Sequence, residues 1–228
     1  YLCAKLSGRS FVKNERVLIF IPLTPNPMKD ITTNIFNVTT VKGDVRQGAL
    51  LVAEPFLSEP YFNHGVLSLV DYSPEEGAMG VVMNYRTANM LSDVLDGISP
   101  QFDAPVYCGG PLGQDRLFFI HTLGSDIISD AREYTPGLFV GGDFSAIIDY
   151  VNSGYTLDGV LRFFVGYSGW SRGQLEDELA GDVWALTDFD NPHELLHGNG
   201  DPYWHRCVRH MGEPYRSWQL LPRNIHAN

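Results

Sequence analysis

Short apolar runs bounded by turn residues recur along this chain, and they set its expected architecture before any single residue is considered. Gly48 to Glu54 (GALLVAE) and Val66 to Val70 (VLSLV) read as buried strands. Ala78 to Asn84 follows the turn Ser73-Pro74-Glu75-Glu76-Gly77, which predicts a hairpin with the strand before it. Val106 to Cys108, Leu117 to His121, Leu138 to Val140 and Trp184 to Thr187 are further strands, and Val160 to Tyr167 (VLRFFVGY) carries the strongest strand pattern of all. Leu91 to Leu95 supports no more than a helical turn or two.

Period-3.6 patterns are fewer. Asp143 is placed to cap a helix that turns Phe144, Ile147, Ile148 and Val151 to one side and stops at Gly154. Ser171 and Gln174 have the S-x-x-Q spacing of a capping box that opens a helix to about Ala180, with Leu175 and Leu179 facing the core and Gly181 as the stop. Asn191-Pro192 starts a short helix that Gly198 ends, and Asp201-Pro202 starts another that Gly212 ends, with Trp204, Val208 and Met211 on one face. Without repeats or an internal linker, residues 28 to 228 read as one α+β domain.

Composition agrees. The 228 residues are 44% apolar and 19% charged, which excludes disorder, and 23 Gly with 14 Pro favour turns and short strands over a helical bundle. The net charge of −11 is unevenly spread: residues 1 to 27 carry +3, residues 28 to 201 carry −17 and residues 202 to 228 carry +3. An acidic body repels nucleic-acid phosphates and anionic lipid. The tail arginines Arg206, Arg209, Arg216 and Arg223, interleaved with Tyr203, Tyr215 and Trp218, are expected to pair with that body or across a homodimer rather than to bind DNA directly.

Cys3, Cys108 and Cys207 are odd in number and widely spaced, which offers neither a disulfide framework nor a metal clip and places the protein in the cytoplasm. The apolar run Val17 to Leu23 is broken by Pro22 and falls far short of the ~20 residues that cross a bilayer, so no membrane partner is expected. It also lacks the small-residue cleavage site of a signal peptide, which leaves the sequon at Asn37 idle. The change of charge sign beside Met28 predicts that the natural protein starts there, with residues 1 to 27 upstream or non-native.

Phe163 to Trp184 (FFVGYSGWSRGQLEDELAGDVW) resembles the hallmark segment of the AlgH/YqgE family of bacterial proteins. GALLVAEPFL at Gly48 to Leu57, GAMGVVMN at Gly77 to Asn84, VYCGGP at Val106 to Pro111 and the closing segment Pro222 to Asn228 match in the same order. The resemblance implies a single domain whose bifurcated β-sheet curls into a pseudo-barrel flanked by helices. It implies bacterial cytosol and no known reaction, although such proteins are often labelled transcriptional regulators. Residues 1 to about 40 have no counterpart in it.

Two patterns invite an enzymatic reading. His193-Glu194-Leu195-Leu196-His197 is H-E-x-x-H, which on a helix sets two histidines one turn apart to hold zinc, with Glu194 as general base. Pro192 and Gly198 confine it to a short segment, and the third ligand position is Tyr203, with His205 or Asp201 reachable only by an unforeseen turn. Gly169-Trp170-Ser171-Arg172-Gly173 spells G-x-S-x-G between a strand and a helix, but the capping box already accounts for Ser171 and Gln174. Cys108 has no adjacent base or resolving cysteine.

The favoured reading is a non-enzymatic binding or regulatory module without cofactor or metal, its transcriptional role indirect. Its cleft is expected to gather Asn84, Gly109, Gly110, His121, Gly169, Trp170, Ser171, Arg172 and Gln174 around a small ligand or a protein partner. Gly109-Gly110-Pro111 reads first as a tight turn; its amides could form an anion nest only if this loop meets the helix start at Ser171. A hydrolase, using zinc on His193 and His197 or the Ser171 hydroxyl, is the alternative.

Overall fold

A computed structural model of the protein describes residues 4–5, 44–213 and 215–221. The proposed start at Met28 and the closing segment from Pro222 lie outside those residues. The strands in chain order are β1 (Ala4–Lys5), β2 (Leu50–Ala53), β3 (Val66–Ser73), β4 (Gly77–Val82), β5 (Arg86–Met90), β6 (Pro105–Cys108), β7 (Leu112–His121), β8 (Arg132–Thr135), β9 (Leu138–Val140), β10 (Leu161–Trp170) and β11 (Trp184–Thr187). The helices are α1 (Phe144–Asn152), α2 (Gln174–Ala180), α3 (Pro192–Leu195) and α4 (Gly200–Met211), with 3-10 turns at Leu91–Asp93, Pro100–Phe102 and Tyr215–Leu220.

The strands form one sheet in the order β11-β2-β3-β4-β10-β7-β9-β8, with β6 joined to β10 and β5 to β6. All neighbours are antiparallel except β6 and β10. Strand β10 is where the sheet forks. Its first half, Phe163 to Val165, pairs with Val106 to Cys108 of β6, and its second half, Ser168 to Trp170, pairs with Gly80 to Ala78 of β4, while β7 runs along it from Leu161 to Tyr167. Gly166, at φ +71°, sits at the irregularity between the halves. Bifurcation is thus present, but among the described residues the strand path is open at β11 and β8, so the expected curl does not close their sheet into a barrel.

Burial explains why the central strands are continuous apolar runs. Along β10, Phe163 and Val165 face one core with Leu117 and Phe119 of β7, and the alternate residue Phe164 faces another with Phe118 and Ile120. The second core is shared by both wings, since Leu50, Val52, Val66 and Val70 also enter it beneath Trp204, Val208 and Trp218. On the opposite face the wings have separate cores, one under α1 around Ile147 and Val151, the other around Leu67, Trp170, Leu175 and Trp184. A strand buried on both faces shows no polar alternation.

Helix α1 is capped as its sequence dictates: the Asp143 carboxylate accepts from the Ser145 and Ala146 amides. The start of α4 differs from the sequence reading. Asn199 rather than Asp201 is the cap residue, which leaves the Asp201 carboxylate in the first turn to serve elsewhere. Strands β5 and β8 carry no apolar pattern and escape a reading based on it. No helix among the described residues is long and apolar enough to cross a membrane.

Candidate functional site

The glycine turn after β6 is built for contact with β10. A Cβ on Gly109 would lie 2.3 Å from the Gly166 carbonyl oxygen, and one on Gly110 would lie 2.3 Å from the Tyr167 carbonyl carbon. The Gly109 amide donates to Val165 O at 2.9 Å, and its carbonyl accepts from the Val82 amide and the Ser168 hydroxyl. An anion nest needs that amide, and here the fork uses it. Cys108 is buried beside the turn, with its thiol 3.6 Å from the Gly110 carbonyl oxygen.

Beyond the fork, β10 delivers Gly169 and Trp170 to the start of α2. Trp170 is buried and its indole donates to the Glu178 carboxylate at 2.9 Å; Trp184 donates to the same oxygen at 2.8 Å. Gln174 donates to the other Glu178 oxygen at 3.0 Å while its own carbonyl accepts from the Ser171 amide at 3.1 Å and hydroxyl at 3.2 Å. Only the Gln174 arm of the foreseen capping box is seen. The cap residue of α2 is Gly173, and the Ser171 hydroxyl turns to the Gln174 side chain. Ser171 and Arg172 are exposed.

Asn84 and His121 are buried in separate places. Asn84 accepts from the Val66 amide at 3.0 Å and donates to the carbonyls of His64 at 2.9 Å and Gly200 at 3.0 Å, so it clamps two distant segments. One nitrogen of His121 lies 3.2 Å from the Gly141 carbonyl, to which it donates, and the other accepts from the Leu123 amide at 3.2 Å.

Burial holds the His121 pKa below its usual 6.5, against the opposing pull of the Gly141 carbonyl. The folded protein therefore resists protonation there while the unfolded chain does not, so the stability this residue confers is complete above about pH 6.5 and is lost as the pH falls below it. Urea midpoints measured between pH 7.5 and 5 should decline more steeply in the wild type than in His121→Gln, which can still donate and accept. Parallel declines would refute the assignment.

The H-E-x-x-H segment does not form a metal-holding face. Helix α3 ends at Leu195, so His197 lies beyond it. His193 Nδ1 is 2.7 Å from the Gly159 carbonyl oxygen, and the 62% exposed His197 ring meets Asp158.

A different constellation assembles nearby. Asp201 and His205 stand one turn apart on α4, and His64, from the turn before β3, meets them: its Nδ1 is 3.0 Å from Asp201 Oδ1. One donor atom from each of the three lies within 4.8 Å of the others. The His64 ring is 1% exposed, stacks on Trp204 at 4.0 Å and meets His205 edge-on at 5.9 Å. His64 also holds φ +51°, a left-handed conformation that costs a residue other than glycine roughly 1–3 kcal/mol. Read from sequence, Asp201 and His205 are only substitute ligands for the H-E-x-x-H segment, and this cluster is missed; their four-residue spacing is its one sequence signal, and His64, 137 residues from Asp201, has none.

On the opposite side of α4 lies an open groove of about 100 Å³. Leu50, Leu195 and Tyr203 line it together with Asp188, Asp190 and Glu194. Arg206 stacks on Tyr203 at 4.4 Å and donates to the Glu194 and His197 carbonyls, so this tail arginine is held by backbone rather than by the acidic body. Burial raises the Cys207 thiol to about 11, far from a reactive thiolate at neutral pH.

The AlgH-like family profile matches residues 50–216. A UPF0301 protein of Parabacteroides distasonis is 37% identical over 195 residues, covering 86% of this chain and 98% of that protein. Another from Bacteroides thetaiotaomicron is 32% identical over 194 residues, covering 85% and 97%. The crystal structure of a Corynebacterium diphtheriae protein superposes with a TM-score of 0.66 at 19% identity, covering 81% of this chain and 96% of that one. The solution structure of the AlgH protein from Pseudomonas aeruginosa gives 0.61 at 24% identity, covering 75% and 93%. These two share the fold.

Proposed function

The chain belongs to the AlgH-like family, and from that premise we propose that it is a non-enzymatic binding module of the bacterial cytoplasm that acts in regulation through a bound partner, with any transcriptional effect indirect. The observation that supports this reading is the structural commitment of the residues a hydrolase would use: the Ser171 hydroxyl faces Gln174, His193 faces the Gly159 carbonyl and His197 faces Asp158. A nucleophile needs a base within hydrogen-bond reach, and Ser171 has a carboxamide instead.

The groove beside α4 is the surface best suited to a partner. Its apolar floor and the carboxylates of Asp190 and Glu194, beside an Asp188 already paired with Arg46 and an Arg206 already held by backbone carbonyls, fit a protein segment that presents a lysine or arginine next to an apolar residue. The test is native mass spectrometry of the protein from its own host, set beside assays on activated esters and peptides. A stoichiometric complex that Asp190→Lys with Glu194→Lys abolishes, without turnover above background, is the expected result. Hydrolysis that Ser171→Ala or His197→Ala removes while the fold persists would overturn the reading.

A further inference from the structure

We infer that His64, Asp201 and His205 form a binding site for a divalent first-row transition metal, zinc above all, with a coordination position left open. The site is independent of the groove and does not rest on the binding-module reading.

Ligand chemistry is the first argument. Two imidazoles and one carboxylate are a donor set for zinc and its first-row neighbours rather than for magnesium or calcium, which prefer oxygen alone. Three protein ligands are also the number that catalytic and ligand-exchanging zinc sites use, with water or a ligand oxygen completing the tetrahedron.

Geometry is the second. In tetrahedral coordination with bonds of about 2.0–2.2 Å, neighbouring ligand atoms stand about 3.3 Å apart. His64 Nδ1 and Asp201 Oδ1 are already 3.0 Å apart, and the whole set lies within 4.8 Å, so closure asks for a shift of about an ångström. His205 can supply it, because it is only partly buried and the other two are fixed around it.

The third argument is that the supports of the ligands are stronger than a mere hydrogen-bonded pair requires. Asn84 holds the His64 carbonyl and the first residue of α4 at once: its side chain donates to His64 O and Gly200 O, and its carbonyl accepts from the Gly200 amide at 2.8 Å. The left-handed backbone at His64 is thereby fixed, and the ring it carries is pressed flat against Trp204. A preset ring on a strained residue, walled by an indole, is the arrangement in which outer groups orient a metal ligand and keep it dry. Helix α4 contributes the other two ligands from adjacent turns of one face. Its N-terminus is electropositive, and the Asp201 carboxylate offsets that field where a cation would sit.

The full chain, stripped of metal by a chelator, is titrated with zinc alone by calorimetry and with cobalt alone by visible absorption. One zinc per chain and the intense visible bands of tetrahedral cobalt are expected. His205→Ala, which removes a partly exposed side chain, should weaken zinc roughly 100-fold or more and erase the cobalt bands. Asp201→Asn, nearly isosteric, carries the same test should His205→Ala fail to fold. His210→Ala, and His193→Ala with His197→Ala, should keep the wild-type isotherm. A wild type that takes up no zinc, an isotherm unchanged in both His205→Ala and Asp201→Asn, or one abolished by the His193 and His197 changes would overturn the assignment.

Discussion

Replacing Arg162 by methionine is expected to destabilise the protein by about 3–5 kcal/mol, and to lower its melting temperature by roughly 10 °C. Arg162 lies on β10 facing the core shared by the two wings, where it is 3% exposed. Its guanidinium donates to the carbonyls of Met83, Leu196 and Gly198 and rests 4.2 Å over the Tyr107 ring. The partners are carbonyls and rings rather than a carboxylate. Burial lowers its pKa, yet an arginine keeps its proton in any folded protein.

Methionine matches the length of the stem but removes every donor, leaving carbonyls from β4's end and from the α3–α4 connection without a buried partner at about 1–3 kcal/mol each, partly offset where water reaches Gly198. Arg162→Lys should recover less than half of the loss, because an ammonium cannot span three carbonyls set in different directions. Urea unfolding with an unchanged slope is the measurement. A loss below ~1 kcal/mol for Arg162→Met would show that packing, not the guanidinium, joins these segments.

Glu178 is the second position of large effect. It is 3% exposed and receives two indoles on one oxygen and the Gln174 amide on the other. Glu178→Leu would strand two indole N–H groups in the core around Trp170 and Trp184, a loss of about 3–4 kcal/mol. Glu178→Gln is expected to cost only about 1 kcal/mol, since its oxygen still accepts from both indoles while its amino group opposes that of Gln174. Nitrogen-15 spectra give a second readout: both indole N–H signals should shift upfield together in Glu178→Gln. If only one moves, the shared carboxylate is not the acceptor for the pair.

These two residues also show what the sequence made legible. Residues 163 to 184 stood out as one matching segment, and its strand and helix were readable, because β10 is apolar on both faces and α2 has leucines one turn apart. Glu178 looked there like one more acid on a charged helix. Its role depends on Trp184, which only the turn after α2 brings back over it. Edge strands β5 and β8 were unreadable for the opposite reason, since each turns little or nothing inward: Tyr134 is the single buried residue of β8.

Motif reading failed where local structure overrode letters. H-E-x-x-H needs two helical turns, and α3 supplies little more than one before Leu196 leaves the helix. The His64 constellation is the converse case. Its letters are scattered, and it exists because Asn84 draws the turn before β3 against the start of α4. A contact set by topology leaves no periodicity to detect.

The fork in β10 has a further consequence for how the chain reaches its native state. Strands β2 to β4 are a local meander, and β7 to β9 close over short connections, so each wing can begin to form as soon as it is made. Yet β4 and β7 meet only through β10, which follows them by about 40 residues or more, and β6 reaches β10 by a parallel crossover. During synthesis on the ribosome the two wings therefore emerge with apolar inner edges that, apart from the Val82 amide on the Gly109 carbonyl, find no ladder partner among the described residues before β10. Their union is a late, long-range step, and nascent chains truncated before residue 161 are the species most in need of a chaperone.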